Sequence, residues 1–384
     1  MTTPPRPQTS APPGTGQAAA RRARPRVTAL LALPGALALL AGLDAALLLL
    51  ELPAPVTWAR LRDVHGPLLV LGFVGTLIAL ERAVALRAPA GFAAPALLGA
   101  GAVLLLTPLP ERVGGTALLL GAIALIGCYV PLWRRQRGDA VLVQLLGAVL
   151  AAGAVTLWLG GVPVPRLIPW LAGFVVLTVA AERVELARIA LPAGAERGLL
   201  WASGAVAAAI TAALLWPAAG YPVLGLALLG LTCWLAAHDV ARRTVRGTGL
   251  ERFTAGCVLA AYAWLGIGAA CWLVGGPVDD GARYDAVVHA LFLGFTLSMI
   301  MAHAPIILPA VLRLPLPYHP VLAAPAGLLH LSLVLRLWAG DALDAPAAWR
   351  IGGVLNIAAV LLFAACLAWS ALTPARPSRT EARP

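Results

Sequence analysis

Two histidines stand in matching settings, His65 in DVHGPLLVLGF and His289 in DAVVHALFLGF, each followed within seven residues by Gly-Phe. A neutral imidazole at similar depth on each of two membrane helices is the usual means of holding a b-type haem. The iron of such a haem takes axial His ligands without covalent attachment. The plainer alternative is that each ring bonds a backbone carbonyl near the membrane surface. His330, in LLHLSLVLRLW, lies in the middle of an apolar run and is the second candidate for an axial position, because a His in hydrocarbon needs a partner or a ligand. Arg62, Arg336 and Arg350 fall at the same membrane face as His65 and His289, where guanidinium forks match haem propionates bidentately. The alternative for each of these arginines is snorkelling to lipid headgroups.

A second group comes from an internal echo. GFVGTLIALERAVALR runs from Gly72 to Arg87, and GFVVLTVAAERVELAR from Gly173 to Arg188. Gly294-Phe295 repeats the opening pair, and His303 stands where the other copies carry Glu81 and Glu182. The pattern predicts a pseudo-threefold repeat of four helices each. It also predicts that Glu81, Glu182 and His303 meet near one face in a cluster that binds a metal or relays protons. The competing expectation is local pairing of each carboxylate with Arg82, Arg183 or Arg188. His289 and His303 share one helix face at opposite depths, about 21 Å apart along the axis. Asp44 lies inside the first apolar run, where a carboxylate wants a proton or a cation. His238 and His319, at helix ends, read as ordinary interfacial residues.

The elements that must position these residues are membrane helices. The chain has 384 residues, of which 60% are hydrophobic and 12% charged, with a mean hydropathy of +0.87. Soluble domains are about a quarter charged, so a soluble globular protein is excluded. The net charge of +11 comes from arginine alone. Those arginines cluster in the short gaps between apolar runs, which points to the lipid bilayer as partner and away from nucleic acid. At about 20 residues per crossing, twelve helices are predicted, at 28–50, 65–86, 90–109, 114–133, 140–160, 165–186, 198–216, 220–239, 253–275, 284–309, 319–339 and 347–372. The fold class is therefore an all-α polytopic membrane protein. With the amino terminus inside, 21 of the 28 Arg lie on the cytoplasmic face and 7 outside, as the positive-inside rule requires. The reading is a multi-pass protein of the bacterial cytoplasmic (inner) membrane with both termini cytoplasmic.

Three segments follow: 1–26, a disordered basic cytoplasmic tail ending in Arg21, Arg22, Arg24 and Arg26; 27–373, the twelve-helix domain; and 374–384, a cytoplasmic tail. The first run exceeds a signal-peptide core in length and is read as a retained helix. The five cysteines form neither CxxC nor CxxCH, so they predict packing residues rather than disulfides, zinc or covalent haem attachment.

Twelve helices, an echo on helices 2, 6 and 10, and the motifs HGPLLVLGF and VVHALFLGF resemble the core subunit of haem-copper oxidases and nitric oxide reductases. The layout is also similar to the NnrS family of nitric-oxide-response membrane haem proteins, and closer to it. The resemblance implies a low-spin haem held by His65 and His289. It departs from the oxidase pattern where a second His is expected two residues away on helix 10, since Val287 and Leu291 stand there. Helix 6 and the segment after it also lack the copper-binding histidines. The expectation is a haem b protein without copper, which handles or senses nitric oxide or exchanges electrons with a redox partner. A proton- or metal-coupled transporter using Asp44, Glu81, Glu182 and His303 is the alternative, and a scaffold without chemistry is a third.

Overall fold

The computed structural model describes residues 15–373 apart from 189, 190, 193 and 314, with side chains from Val27 onward. Residues 1–14, the Arg21 to Arg26 side chains and the expected tail 374–384 lie outside that description. Among the described residues there is no strand. The long helices are α1 Thr15–Leu49, α2 Arg60–Leu86, α3 Pro89–Leu105, α4 Glu111–Gln136, α5 Asp139–Leu159, α6 Val164–Leu186, α7 Ala195–Leu215, α8 Pro217–His238, α9 Gly249–Gly275, α10 Gly281–Leu312, α11 Pro320–Ala342 and α12 Pro346–Leu372, with one further turn at Ala241–Thr244. Eleven of them are long and apolar enough to cross a membrane, and α3 is shorter. The chain is an all-α, multi-pass membrane protein.

The backbone of 15–26 continues α1 instead of forming an irregular tail. α10 runs unbroken through Pro305 and Pro309 to Leu312.

Polar contacts at the helix ends fix an alternating up-and-down course. At one end, here the upper, Arg350 at the start of α12 meets Glu51 after α1 at 2.8 Å. Arg166 at the start of α6 meets Asp279 before α10 at 3.9 Å. At the lower end Arg197, opening α7, meets Asp139, opening α5, at 2.6 Å, and Ser370 near the end of α12 donates to the Pro317 carbonyl before α11 at 2.6 Å.

The short α3 obeys the same alternation. Arg60, at the start of α2, donates to the Thr107 and Leu109 carbonyls beyond the end of α3, at 2.6 Å each. The other end of α3 packs low, where Cys128 Sγ lies 3.7 Å from the Gly91 carbonyl. So α3 traverses the bundle from lower to upper end although its regular α segment, Ala93–Leu105, has only 13 residues, about 20 Å of rise. It is held by backbone-close packing on α4: a Cβ at Gly101 would lie 2.8 Å from the Leu118 nitrogen, and one at Gly121 2.8 Å from the Leu98 nitrogen. Small residues permit this approach in a bilayer, where lipid tails are as apolar as Leu and close contact must supply the attraction.

All five cysteines are free, and Cys128, Cys257 and Cys366 are buried in the core, as packing residues.

Three helices carry a feature that periodicity does not reveal. Within α2, Leu68–Gly75 winds as a π-helix, within α10 so does Ala290–Leu297, and within α11 so does Leu335–Ala342, which carries Arg336. The first two stretches place their Gly-Phe, 72–73 and 294–295, at the same fifth and sixth positions. Such wide turns are rare and recur at functional sites, because they aim side chains that a regular helix would point elsewhere. The third copy, α6, is regular through Gly173-Phe174.

Candidate functional site

His65 and His289 line one cavity of about 70 Å³ between α1, α2, α10, α11 and α12. Each stands just above the π-helical stretch of its own helix. His65 Nδ1 lies 2.9 Å from the Gly42 carbonyl of α1. His289 Nδ1 lies 2.9 Å from the Asp285 carbonyl and 3.2 Å from the Asp285 Oδ1. Carbonyl and carboxylate oxygens only accept, so in both neutral rings the proton is on Nδ1 and the lone pair on Nε2. Neither Nε2 has a hydrogen-bond partner among the described residues. The carbonyl contacts are those of the plainer expectation, yet they use only one nitrogen per ring. They also coincide with the outer-shell pattern of ligating histidines, which donate the second ring N–H to a carbonyl or carboxylate and so fix ring orientation.

The remaining walls are mostly apolar, with Leu39, Leu43, Leu69, Phe73 and Phe292 among them. Asn356, 2% exposed, donates to Ser332 Oγ at 2.6 Å and leaves its own Oδ1 without a partner beside the cavity. Two lone-pair nitrogens and an orphaned amide oxygen thus face one largely apolar cavity.

The arginines divide. Only Arg336 lines the cavity. Its fork is already engaged: Nε and Nη2 donate to Asp285 at 2.8 and 2.7 Å, and its guanidinium stacks 5.0 Å from the Trp349 ring. This leaves only Nη1 without a hydrogen-bond partner among the described residues and corrects the expectation of a free bidentate fork. Arg350 is paired with Glu51, and Arg62 is exposed; both lie outside the cavity. His330 is corrected as an axial candidate: it lies outside the cavity and its Nδ1 accepts the Trp264 indole N–H at 3.1 Å. Trp264 in turn packs on Gly294 of the α10 π-helix. Asp44 accepts from the Val56 N–H at 3.2 Å, which ties the loop after α1 to that helix.

The second group converges lower down. Glu81, Glu182 and His303 all line a cavity of about 270 Å³ that shares Leu39, Phe73, Val74, Thr296, Leu297 and Val360 with the first. α10 thus presents His289 to one cavity and His303 to the other. As a metal centre the cluster is corrected, since among the described residues no three His, Cys, Asp or Glu side chains could hold an ion. Arg82 donates to Glu81, stands 3.5 Å from Glu182, and donates to Gln144 at 3.1 Å. Arg183 does not serve its neighbour Glu182: it forms a bidentate pair with Asp239, at 2.9 and 2.6 Å, and stands 3.4 Å from His303 Nε2. Arg188 pairs with Glu196 at 2.9 Å.

A family described as Domain of unknown function (DUF8744) matches residues 26–372. The chain belongs to the DUF8744 family. No curated protein and no solved structure matches it.

In this DUF8744 member the residues that the motif reading passed over are second partners rather than first. Asp285 orients His289 and clamps Arg336, and the four-residue step from Asp285 to His289, one helical turn, is the signal that marks it. Gly42 acts through a carbonyl and leaves no signal in side-chain chemistry. Asp239, just beyond α8, gathers the Arg183 fork, the Tyr262 hydroxyl at 2.7 Å and the Ala241 N–H at 2.8 Å. Burial pushes its carboxyl up, but the Arg183 bonds and charge, with Ala241 and Tyr262, outweigh that and hold it below the ordinary value.

Proposed function

We propose that this protein holds one b-type haem between α2 and α10, with the Nε2 atoms of His65 and His289 as the axial pair, and that it serves electron transfer in a nitric-oxide-related setting. The observation that carries the reading is the pair of unpartnered Nε2 atoms, on rings oriented through Nδ1, at one apolar cavity. A haem held by these two histidines would supply one-electron redox chemistry, so electron exchange with a redox partner comes first and nitric oxide second. The chain's own residues do the rest. Gly42 and Asp285 fix the two rings, Arg336 offers Nη1 at the rim, and Leu and Phe side chains exclude water. The test is a visible spectrum of protein purified after haem supply, with a low-spin six-coordinate haem b expected; a colourless, folded protein overturns it.

Asp285→Asn is expected to keep the haem and raise its midpoint potential. A carboxylate on the Nδ1–H makes His289 a stronger donor and favours the ferric state, and losing it also leaves Arg336 unbalanced. Each ~1.4 kcal/mol of lost ferric stabilisation corresponds to about 59 mV for one electron. A redox titration with an unchanged or lowered potential would count against the assignment.

The upper end of the bundle is proposed as the outer face of the bacterial cytoplasmic membrane, with both termini inside, on the strength of the arginine bias. Reporter fusions at residues 136 and 247 should report the cytoplasm and one at 280 the periplasm. A periplasmic signal at 247, in the loop of Arg242, Arg243, Arg246 and Arg252, would reverse the orientation.

A further inference from the structure

The lower cavity has a charge imbalance that its own residues do not cancel. Its titratable lining consists of Glu81, Glu182 and His303, all at one end of otherwise apolar walls. Both carboxylates turn one oxygen to a single guanidinium, Arg82, and the second oxygen of each has no partner among the described residues. The next cation, Arg183, is neutralised by Asp239 in a bidentate pair. A further carboxylate, Glu185, has only the Gln144 amide, at 3.5 Å. With all of these carboxylates ionised, the cavity end carries at least one negative charge more than the cations beside it, with the Glu182 side chain 13% exposed and Glu81 24%. In an apolar medium an uncompensated charge is costly and is answered by a counter-ion or a proton.

The walls narrow the choice of counter-ion. A hydrated metal ion needs several oxygen or nitrogen ligands, and no group of three such side chains is present among the described residues. An anionic amphiphile would be repelled, and a neutral lipid would leave the charge unanswered. A bulky organic cation matches on both counts: its apolar body fills the apolar part of the cavity, about 270 Å³ walled by Phe73, Phe363 and aliphatic side chains, and its charge answers the carboxylates. Ala364, exposed on α12, stands at the rim toward the lipid.

We propose that this cavity is a binding site for a lipophilic organic monocation, with the Glu81–Glu182 pair as its counter-charge. It lies below the His65–His289 cavity and does not require haem. The test uses the full chain in detergent, with tetraphenylphosphonium as probe and tetraphenylborate as a probe of the same shape and opposite charge, both followed by equilibrium dialysis. Saturable binding of one phosphonium per chain is expected, with no saturable binding of the borate. Affinity should fall at least about tenfold, the equivalent of ~1.4 kcal/mol, in E81Q/E182Q and in Ala364→Trp, be restored in part by Glu182→Asp, and stay unchanged in Glu196→Gln. No saturable phosphonium binding would mean that a proton satisfies the pair and would overturn the proposal. Equal binding of the borate, or affinity indifferent to E81Q/E182Q in a variant that elutes as a folded monodisperse species, would overturn it too. The visible spectrum of the same samples reports the haem separately, so either reading can fail without the other.

Discussion

His65→Ala and His289→Ala are each expected to strip the haem absorbance from the purified protein, while His238→Ala, His319→Ala and His330→Ala leave it in place. The contrast rests on which nitrogen is free. At His65 and His289 the carbonyl partners occupy Nδ1 and leave Nε2 at the cavity. His330 spends its Nδ1 on Trp264 away from that cavity, and His238 bonds the Trp234 carbonyl four residues back on its own helix. Removing a group that merely orients a metal ligand costs about 10–100-fold in affinity; removing the ligand itself takes one of only two bonds that fix the macrocycle. Any haem that survives in either variant should be five-coordinate and newly able to bind carbon monoxide or nitric oxide when reduced. A spectrum indifferent to both substitutions would refute the axial pair, whatever else the protein binds.

The helices were legible because hydrocarbon imposes a simple rule, some 20 apolar residues per crossing. Most observed ends fall within a few residues of that reading, as for α6, expected at 165–186 and found at Val164–Leu186. α3 is the informative exception, since its run of apolar residues ends at Leu105 and its crossing depends on glycine contacts with α4 that hydropathy does not register. The pairing of His65 with His289 was legible from flanking motif and depth, and so was the meeting of Glu81, Glu182 and His303 from their place in the echo. Charge partners were not. Arg82 and Arg183 follow Glu81 and Glu182 in sequence, and local pairing holds for Arg82 with Glu81; Arg183 instead reaches Asp239, because helical side chains are shared by whatever packs on them rather than by chain neighbours. The π-helical turns above the Gly-Phe pairs were equally silent, since LLVLGFVG and ALFLGFTL suit a regular helix as well as a wide one.

Asp239→Asn is expected to destabilise the protein by about 3–5 kcal/mol, the cost of removing one partner from a buried ion pair. Arg183 is 7% exposed, and its fork has no other carboxylate within bonding distance; the remaining contact is the imidazole of His303 at 3.4 Å. An amide in place of the carboxylate keeps the shape but leaves a buried guanidinium without its charge, and Tyr262 with a weaker acceptor. The double replacement Arg183→Met with Asp239→Leu should cost less than the single one, because deleting both charges also deletes their desolvation. The same pair sets a pH dependence. The Asp239 carboxyl is held below its unfolded value of about 3.9, so its contribution is complete above that value and is lost as pH falls through the lower folded one. Thermal unfolding in detergent, followed by tryptophan fluorescence, should therefore separate wild type from Asp239→Asn at neutral pH, with a gap that narrows as pH falls below about 4 and closes only once the lower folded value is passed. A gap that persists unchanged into acid would mean that Asp239 acts by packing and hydrogen bonding alone, and a gap of less than about 0.5 kcal/mol at neutral pH would place it among ordinary surface positions.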